Sequence, residues 1–155
     1  MRQPRSEKVK DMSRDIIERL RFFAGVNGEG HLELLHRGRF ANANVYRYRA
    51  EGLDCVIKDY SHCHPLIRQT LGRFFVRREV TALRRLTGVS GVVSNFCRLG
   101  NFTLAYPYVE GLSLRELQSR GEVLSEDFFG ELEKTIIQMH RRGASGFTKF
   151  GQCIA

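Results

Sequence analysis

No stretch of the chain approaches the roughly 20 consecutive apolar residues that a membrane span needs. The start, Met1-Arg2-Gln3-Pro4-Arg5, leads into no apolar core of the signal-peptide kind. A cytoplasmic location is the resulting expectation. Cysteine is sparse, at positions 55, 63, 97 and 153, and no two form a C-x-x-C pair. That removes the usual spacing of a zinc or redox motif and points to buried thiols in a reducing compartment. Acidic residues are the minority, 17 against 25 lysines and arginines, for a net charge of +8. Such an excess suggests an anionic partner, whether a nucleotide, a nucleic acid or an acidic membrane surface, without choosing among them. With 155 residues, 42% of them hydrophobic, the chain can build one compact domain or a piece of a larger one.

Residues 1 to about 10 are polar and expected to be disordered. Met12, Ile16, Ile17, Leu20 and Phe23 then recur at helical spacing up to Gly25 and the Asn27-Gly28 turn. This amphipathic helix has basic flanks and could lie on an anionic membrane, but such helices more often pack on their own domain. His31-Leu32-Glu33-Leu34-Leu35 reads as a strand, Arg37 to Asn44 as a turn, and Val45-Tyr46-Arg47-Tyr48-Arg49 as its hairpin partner. Glu51-Gly52 turns into a third strand, and two more follow at Asn95 to Leu99 and Phe102 to Tyr106, joined through a two-residue turn at Gly100-Asn101. His62-Cys63-His64 offers metal-ligating types, but Cys55 is the only near fourth donor, so a solvated loop entering the next helix is the preferred reading.

Two charges stand where apolar residues belong. In Leu53-Asp54-Cys55-Val56-Ile57-Lys58-Asp59-Tyr60 the apolar residues occupy both faces of a strand, and alternation places Lys58 beside Val56 and Tyr60. From Arg73 to Leu86 the period becomes helical, with Phe75, Ala82, Leu83 and Leu86 as a stripe and Arg77, Arg78, Thr81, Arg84 and Arg85 on the other face. Glu79 lies within the stripe. An unpaired charge removed from water costs several kcal/mol, so each of these groups needs a partner, and each is the natural candidate for the other. The separation of 21 positions leaves room for the strand to end, the chain to turn at Pro65 and a helix to return.

A strand lysine held by a helix glutamate resembles the phosphate clamp of protein kinases. Upstream, Gly38-Arg39-Phe40-Ala41-Asn42-Ala43-Asn44-Val45 can be laid on the glycine-rich pattern G-x-G-x-x-G-x-V, with Gly38 and Val45 matching and Phe40 and Ala43 replacing two glycines. Val56-Ile57-Lys58 resembles V-A-I-K. Together with Gly72 to Leu86 and the Val109-Glu110-Gly111 exit, this set resembles the small bacterial RIO-like and lipopolysaccharide-kinase-like branch of the protein-kinase superfamily, over about residues 31 to 143. That branch tolerates a phosphate loop poor in glycine. The resemblance implies an α+β fold: a protein-kinase-like small lobe of five antiparallel strands plus one inserted helix, followed by the first helices of the large lobe. It divides the chain into 1–30 (polar segment and amphipathic helix), 31–111 (small lobe and hinge), 112–143 (partial large lobe) and 144–155 (a tail without a match).

The resemblance also implies an ATP-dependent phosphotransferase that uses Mg2+ and acts on a protein serine or threonine, or on a lipopolysaccharide sugar. Gly38 would open the phosphate loop, Lys58 and Glu79 would hold the phosphates, and Val45 and Val56 would roof the adenine. Tyr106 would close the back of the pocket, while the Pro107 carbonyl and the Val109 N–H would meet the base. Ser125 to Arg142 is a further amphipathic helix, with Ser125 as N-cap and Phe128, Phe129, Leu132, Ile136 and Met139 toward a core.

The catalytic segment that should follow has no counterpart. No aspartate occurs after Asp127 and no asparagine after Asn101, and Gly146 and Thr148 stand where the resemblance would place the catalytic histidine and aspartate. Without those groups the metal that shields the phosphates has no protein anchor. The expectation is therefore a kinase chain truncated or frame-shifted before its catalytic loop and inactive in transfer. Two alternatives stand beside it. One is a nucleotide-binding or partner-binding pseudokinase fragment, and the other a basic module for nucleic acid or anionic membranes, whose binding would fall steeply with salt and ignore Lys58.

Overall fold

A computed structural model of the protein describes residues 14–144. The polar start, Met12, Cys153 and the tail from Ser145 lie outside the described residues. The chain divides into two compact units: the first runs through Val80 and includes Phe96–Tyr108, and the second comprises Thr81–Asn95 and the residues from Val109.

The first unit is built on five antiparallel strands: β1 (His31–His36), β2 (Asn44–Ala50), β3 (Leu53–Asp59), β4 (Cys97–Arg98) and β5 (Thr103–Pro107), in the order β1-β2-β3-β5-β4. The fold is α+β, and a helical insertion between β3 and β4 gives it the expected arrangement of a kinase-like small lobe. The β2–β3 turn is tight because Ala50 pairs with Leu53, and Gly52 takes the left-handed conformation such a turn requires, with φ +74°. Helix α1 (Arg14–Ala24) covers one sheet face. Ile16 and Leu20 join Tyr46, Tyr48, Cys55, Ile57, Leu99 and Ala105 in a single core. The amphipathic helix therefore packs on its own domain. Phe23, expected in its apolar stripe, is instead 62% exposed, because the helix meets the sheet through its Ile16–Leu20 side. Burial pushes the Cys55 thiol up to about 12, so it acts as a packing group in this core.

Further details depart from the sequence expectations, and the strand expected over Asn95–Leu99 shortens to Cys97–Arg98. The loop joining β4 and β5 holds three residues, Gly100, Asn101 and Phe102, since Leu99 N–H donates to the Thr103 carbonyl. Phe102 leaves the ladder because its carbonyl accepts the Tyr60 N–H at 2.9 Å, and its ring lies 5.4 Å beneath the Arg68 guanidinium. The segment after β3 is not a plain loop. Pro65 opens a short helix, α2 (Pro65–Ile67), whose first turn proline suits, and a π-helical stretch, Arg68–Gly72, carries the chain into α3 (Arg73–Leu86). Cys63 is buried, its thiol directed to the Asn42 carbonyl, rather than solvated with its neighbours. In α3 the buried stripe also takes in Val76 and Val80, which extend it from Ala82, Leu83 and Leu86.

The second unit holds the end of α3 and two later helices, α4 (Leu114–Ser119) and α5 (Glu126–Arg141). Leu86, Val89, Met139 and Ala144 form its core. Arg142 donates to the Arg85 and Thr87 carbonyls, supplying partners where helix α3 runs out of its own N–H groups. Ser125 caps α5 by accepting the Phe128 N–H at 3.2 Å. Of the residues expected to face inward, Met139 is buried and Phe128 and Leu132 half-buried, whereas Phe129 and Ile136 are exposed. The contact surface that α5 finds on Leu86 and Val89 is too small to cover them.

Candidate functional site

The sheet face opposite α1 is organised in rows. Val45 of β2 pairs with Lys58 of β3, and Lys58 with Leu104 of β5; one row along, Arg47 pairs with Val56, and Val56 with Tyr106. Because strand side chains alternate, these residues share one face. Val45, Val56, Leu104 and Tyr106 are all buried.

Lys58 is the one ammonium in this row. Its Nζ donates to Glu79 Oε1 of α3 at 2.8 Å, and the two side chains are only 16% and 11% exposed. The Tyr106 ring stands on the other side, its centroid 5.3 Å from Nζ, within range of a cation–π contact. The structure thus brings together Lys58, Glu79 and Tyr106, with Val45 and Val56 on the same face. An ammonium held in this way is a fixed positive charge. It can be offered to a phosphate oxygen with little cost in side-chain entropy.

Gly38 lies just beyond β1, in the loop that leads to β2. Its N–H donates to Asn44 Oδ1 at 2.9 Å, and a Cβ at this position would collide with the carbonyl oxygens of Asn42 and Ala43. The glycine is required by that close approach of backbone to backbone. Phe40, in the place of the second glycine of the kinase pattern, has φ +56°. It keeps a glycine-like backbone at the expense of about 1 kcal/mol of strain, with its ring in solvent. Asn42 N–H closes the turn onto the Arg39 carbonyl, and Asn44, itself buried, donates onward to the Tyr46 hydroxyl.

Pro107 ends β5 opposite Cys55 and is exposed, and Val109 belongs to the second unit. Cys55 sits in the α1 core, while the Cys63 thiol is directed to the Asn42 carbonyl. Among the described residues no three histidine, cysteine or acidic side chains group as metal ligands.

Several residues of the sheet escaped the sequence reading. Asn44 anchors the loop, and its position next to Val45 in a turn-to-strand junction was the available signal. Asp59 is buried at the end of β3, where Oδ1 accepts from the Ser61 N–H and the Thr103 hydroxyl and Oδ2 from the Ser61 hydroxyl at 2.6 Å. Both carboxylate oxygens are thus hydrogen-bonded, and they fix the exit of the strand that carries Lys58. Arg47, Asp54 and Tyr108 form a further group, for which the opposite charges on neighbouring strands were the only hint.

No protein-family model matches the chain, and comparison with curated proteins finds no match. Among solved structures the chain is similar to the ADP-bound crystal structure of an aminoglycoside phosphotransferase, APH(2'')-Ib, at 17% identity and a TM-score of 0.45. The similarity covers 75% of this chain and 34% of that one, so the chain spans about a third of the length of the phosphotransferase.

Proposed function

We propose that the first unit is a nucleotide-binding lobe of protein-kinase type, with Lys58 as the phosphate-binding cation and ATP or ADP as its ligand. The observation that carries this is the Lys58–Glu79 pair: a 2.8 Å bond between a strand and a helix, with both side chains mostly shielded from water. Burying two charges is unfavourable unless their geometry is good, so a pair retained on the inner face of a sheet suggests use in binding. Gly38 and its loop are read as the approach for the phosphates, Val45 and Val56 as the roof, Tyr106 as the back wall, and Pro107 and Val109 as the contacts for the base.

The RIO-like or lipopolysaccharide-kinase-like branch, with a protein hydroxyl or a sugar as acceptor, rests on the motif resemblance. Magnesium does not fit the donors at hand. Asp59, the carboxylate next to Lys58 in sequence, is held by Ser61 and Thr103 on the other face of the strand. For these 155 residues the function proposed is therefore nucleotide binding, with no transfer step routed through a metal.

Titration of the protein with ATP tests this. Lys58→Ala and Glu79→Ala should each weaken binding, by about tenfold for the loss of a charge-assisted contact. Equal affinity in the wild type and both variants would refute the assignment. Binding of polyanions that falls steeply with salt and ignores Lys58 would instead favour a basic nucleic-acid or membrane module.

A further inference from the structure

A second pair of opposite charges stands on the same sheet face, and it is built differently from Lys58–Glu79. Arg47 of β2 donates through Nε to Asp54 Oδ1 at 2.9 Å and through Nη2 to Oδ2, a two-pronged contact with the first residues of β3. The plane so fixed lies over the Tyr108 ring, with the guanidinium carbon 3.5 Å from the ring centroid. Tyr108 is also tied by its backbone, since its N–H donates to the Asp54 carbonyl at 3.0 Å. That bond is the last rung between β3 and the end of β5, directly after Pro107, which has no N–H to give. The chain leaving β5 is therefore held twice by the Asp54 region, once through the main chain and once through Arg47.

An ion pair in water is worth about 0–1 kcal/mol and orders little by itself. Here the Arg47 side chain is only 16% exposed, and its planar fork is used along one edge by Asp54 and on one face by Tyr108. The guanidinium of Arg47 also holds the Asp54 carboxyl below the usual carboxylate range, so the pair stays charged under ordinary conditions. Arg47 shares its row with Val56 and Tyr106, whereas Lys58 lies in the next row toward the glycine-bearing loop. The face thus carries two anchored cations, one at the phosphate side and one where the strand hands over to the segment that would meet the base.

We propose that the Arg47–Asp54–Tyr108 stack is the nucleoside-side positioning device of the site: it fixes the backbone of Pro107 and Tyr108 so that a purine nucleoside is received there, independently of phosphate capture at Lys58. This rests on the nucleotide-binding reading and adds to it a division of labour. Arg47, Asp54 and Tyr108 act through the backbone they hold, so they are positioning residues, and their effect should appear in the nucleoside part of the ligand alone.

The test is a pair of titrations, with adenosine and with inorganic tripolyphosphate, on the full chain. Arg47→Lys keeps the charge but loses the fork and the stack, and Tyr108→Ala removes the ring. Both should lower adenosine affinity about fivefold, the scale of a cation–π contact, and leave tripolyphosphate unchanged. Tyr108→Phe retains the ring and should bind both ligands as the wild type does. Lys58→Ala should do the reverse, weakening tripolyphosphate and sparing adenosine. Unchanged adenosine binding in Arg47→Lys and Tyr108→Ala, with Lys58→Ala still impaired for tripolyphosphate, overturns this inference and leaves the nucleotide lobe standing. Equal losses for both ligands overturn it too, since they would mark the stack as general scaffolding. A wild type that binds neither ligand overturns the nucleotide reading and this inference with it.

Discussion

Lys58 and Glu79 are a case in which the two halves of one contact have unequal worth. Each is mostly shielded from water, so removing one strands the other as an uncompensated charge, whereas replacing both removes the desolvation penalty along with the attraction. Glu79→Ala should destabilise the protein by about 3 kcal/mol, and Lys58→Met combined with Glu79→Leu should recover most of that loss. Urea denaturation of the two variants beside the wild type measures this directly. If Glu79→Ala unfolds at the wild-type midpoint, water screens the pair and its role as a fixed clamp is lost. The same reasoning, applied to the bare sequence, located these residues before any contact was known, because a charge inside an apolar pattern is expensive whatever the fold.

The loop between β1 and β2 shows how an element can keep a backbone while changing its residues. Gly38 cannot carry a side chain because the Asn42 and Ala43 carbonyls fill that space, and Phe40 holds a left-handed φ of +56° with its ring in solvent. Gly38→Ala should therefore cost about 1–3 kcal/mol in stability and weaken ADP more than adenosine, whereas Phe40→Gly should be neutral or slightly stabilising. Thermal melts and the two titrations check the pattern; a harmless Gly38→Ala would contradict it. Elements with a strong period were legible in the sequence. The strand around Lys58, the helix Arg73–Leu86 and the Ser125 cap of α5 all stand where spacing put them. Helix α4 was missed although Ser113 and Glu116 spell its capping box, in which the Ser113 hydroxyl receives the Glu116 N–H and the Glu116 carboxylate the Ser113 N–H. What could not be read depends on distant partners: Phe102 bends out of its hairpin for Tyr60 and Arg68, and the Arg47–Tyr108 stack links β2 to the residue after β5 across the intervening β3.

Across the whole molecule the charge excess of +8 would attract any polyanion, and the first unit offers a cation, Lys58, held by a carboxylate on one sheet face. The second unit has its own small core, with Phe129, Ile136, Ile137 and Val123 in solvent. No helix among the described residues is long and apolar enough to cross a membrane. Specific nucleotide binding and diffuse charge attraction make different demands on the sheet. The first engages the face that carries Lys58 and the glycine-bearing loop, and the second engages the arginines Arg77, Arg84 and Arg85, which lie on the exposed side of α3. The most direct measurement is a map of backbone amide shifts on addition of ADP at physiological salt. The nucleotide-lobe reading predicts saturable shifts concentrated at Gly38–Val45, Val56–Lys58 and Tyr106–Tyr108, and their loss in Lys58→Ala. Shifts confined to the outer arginines of α3, vanishing with added salt and unaffected by Lys58→Ala, would contradict it.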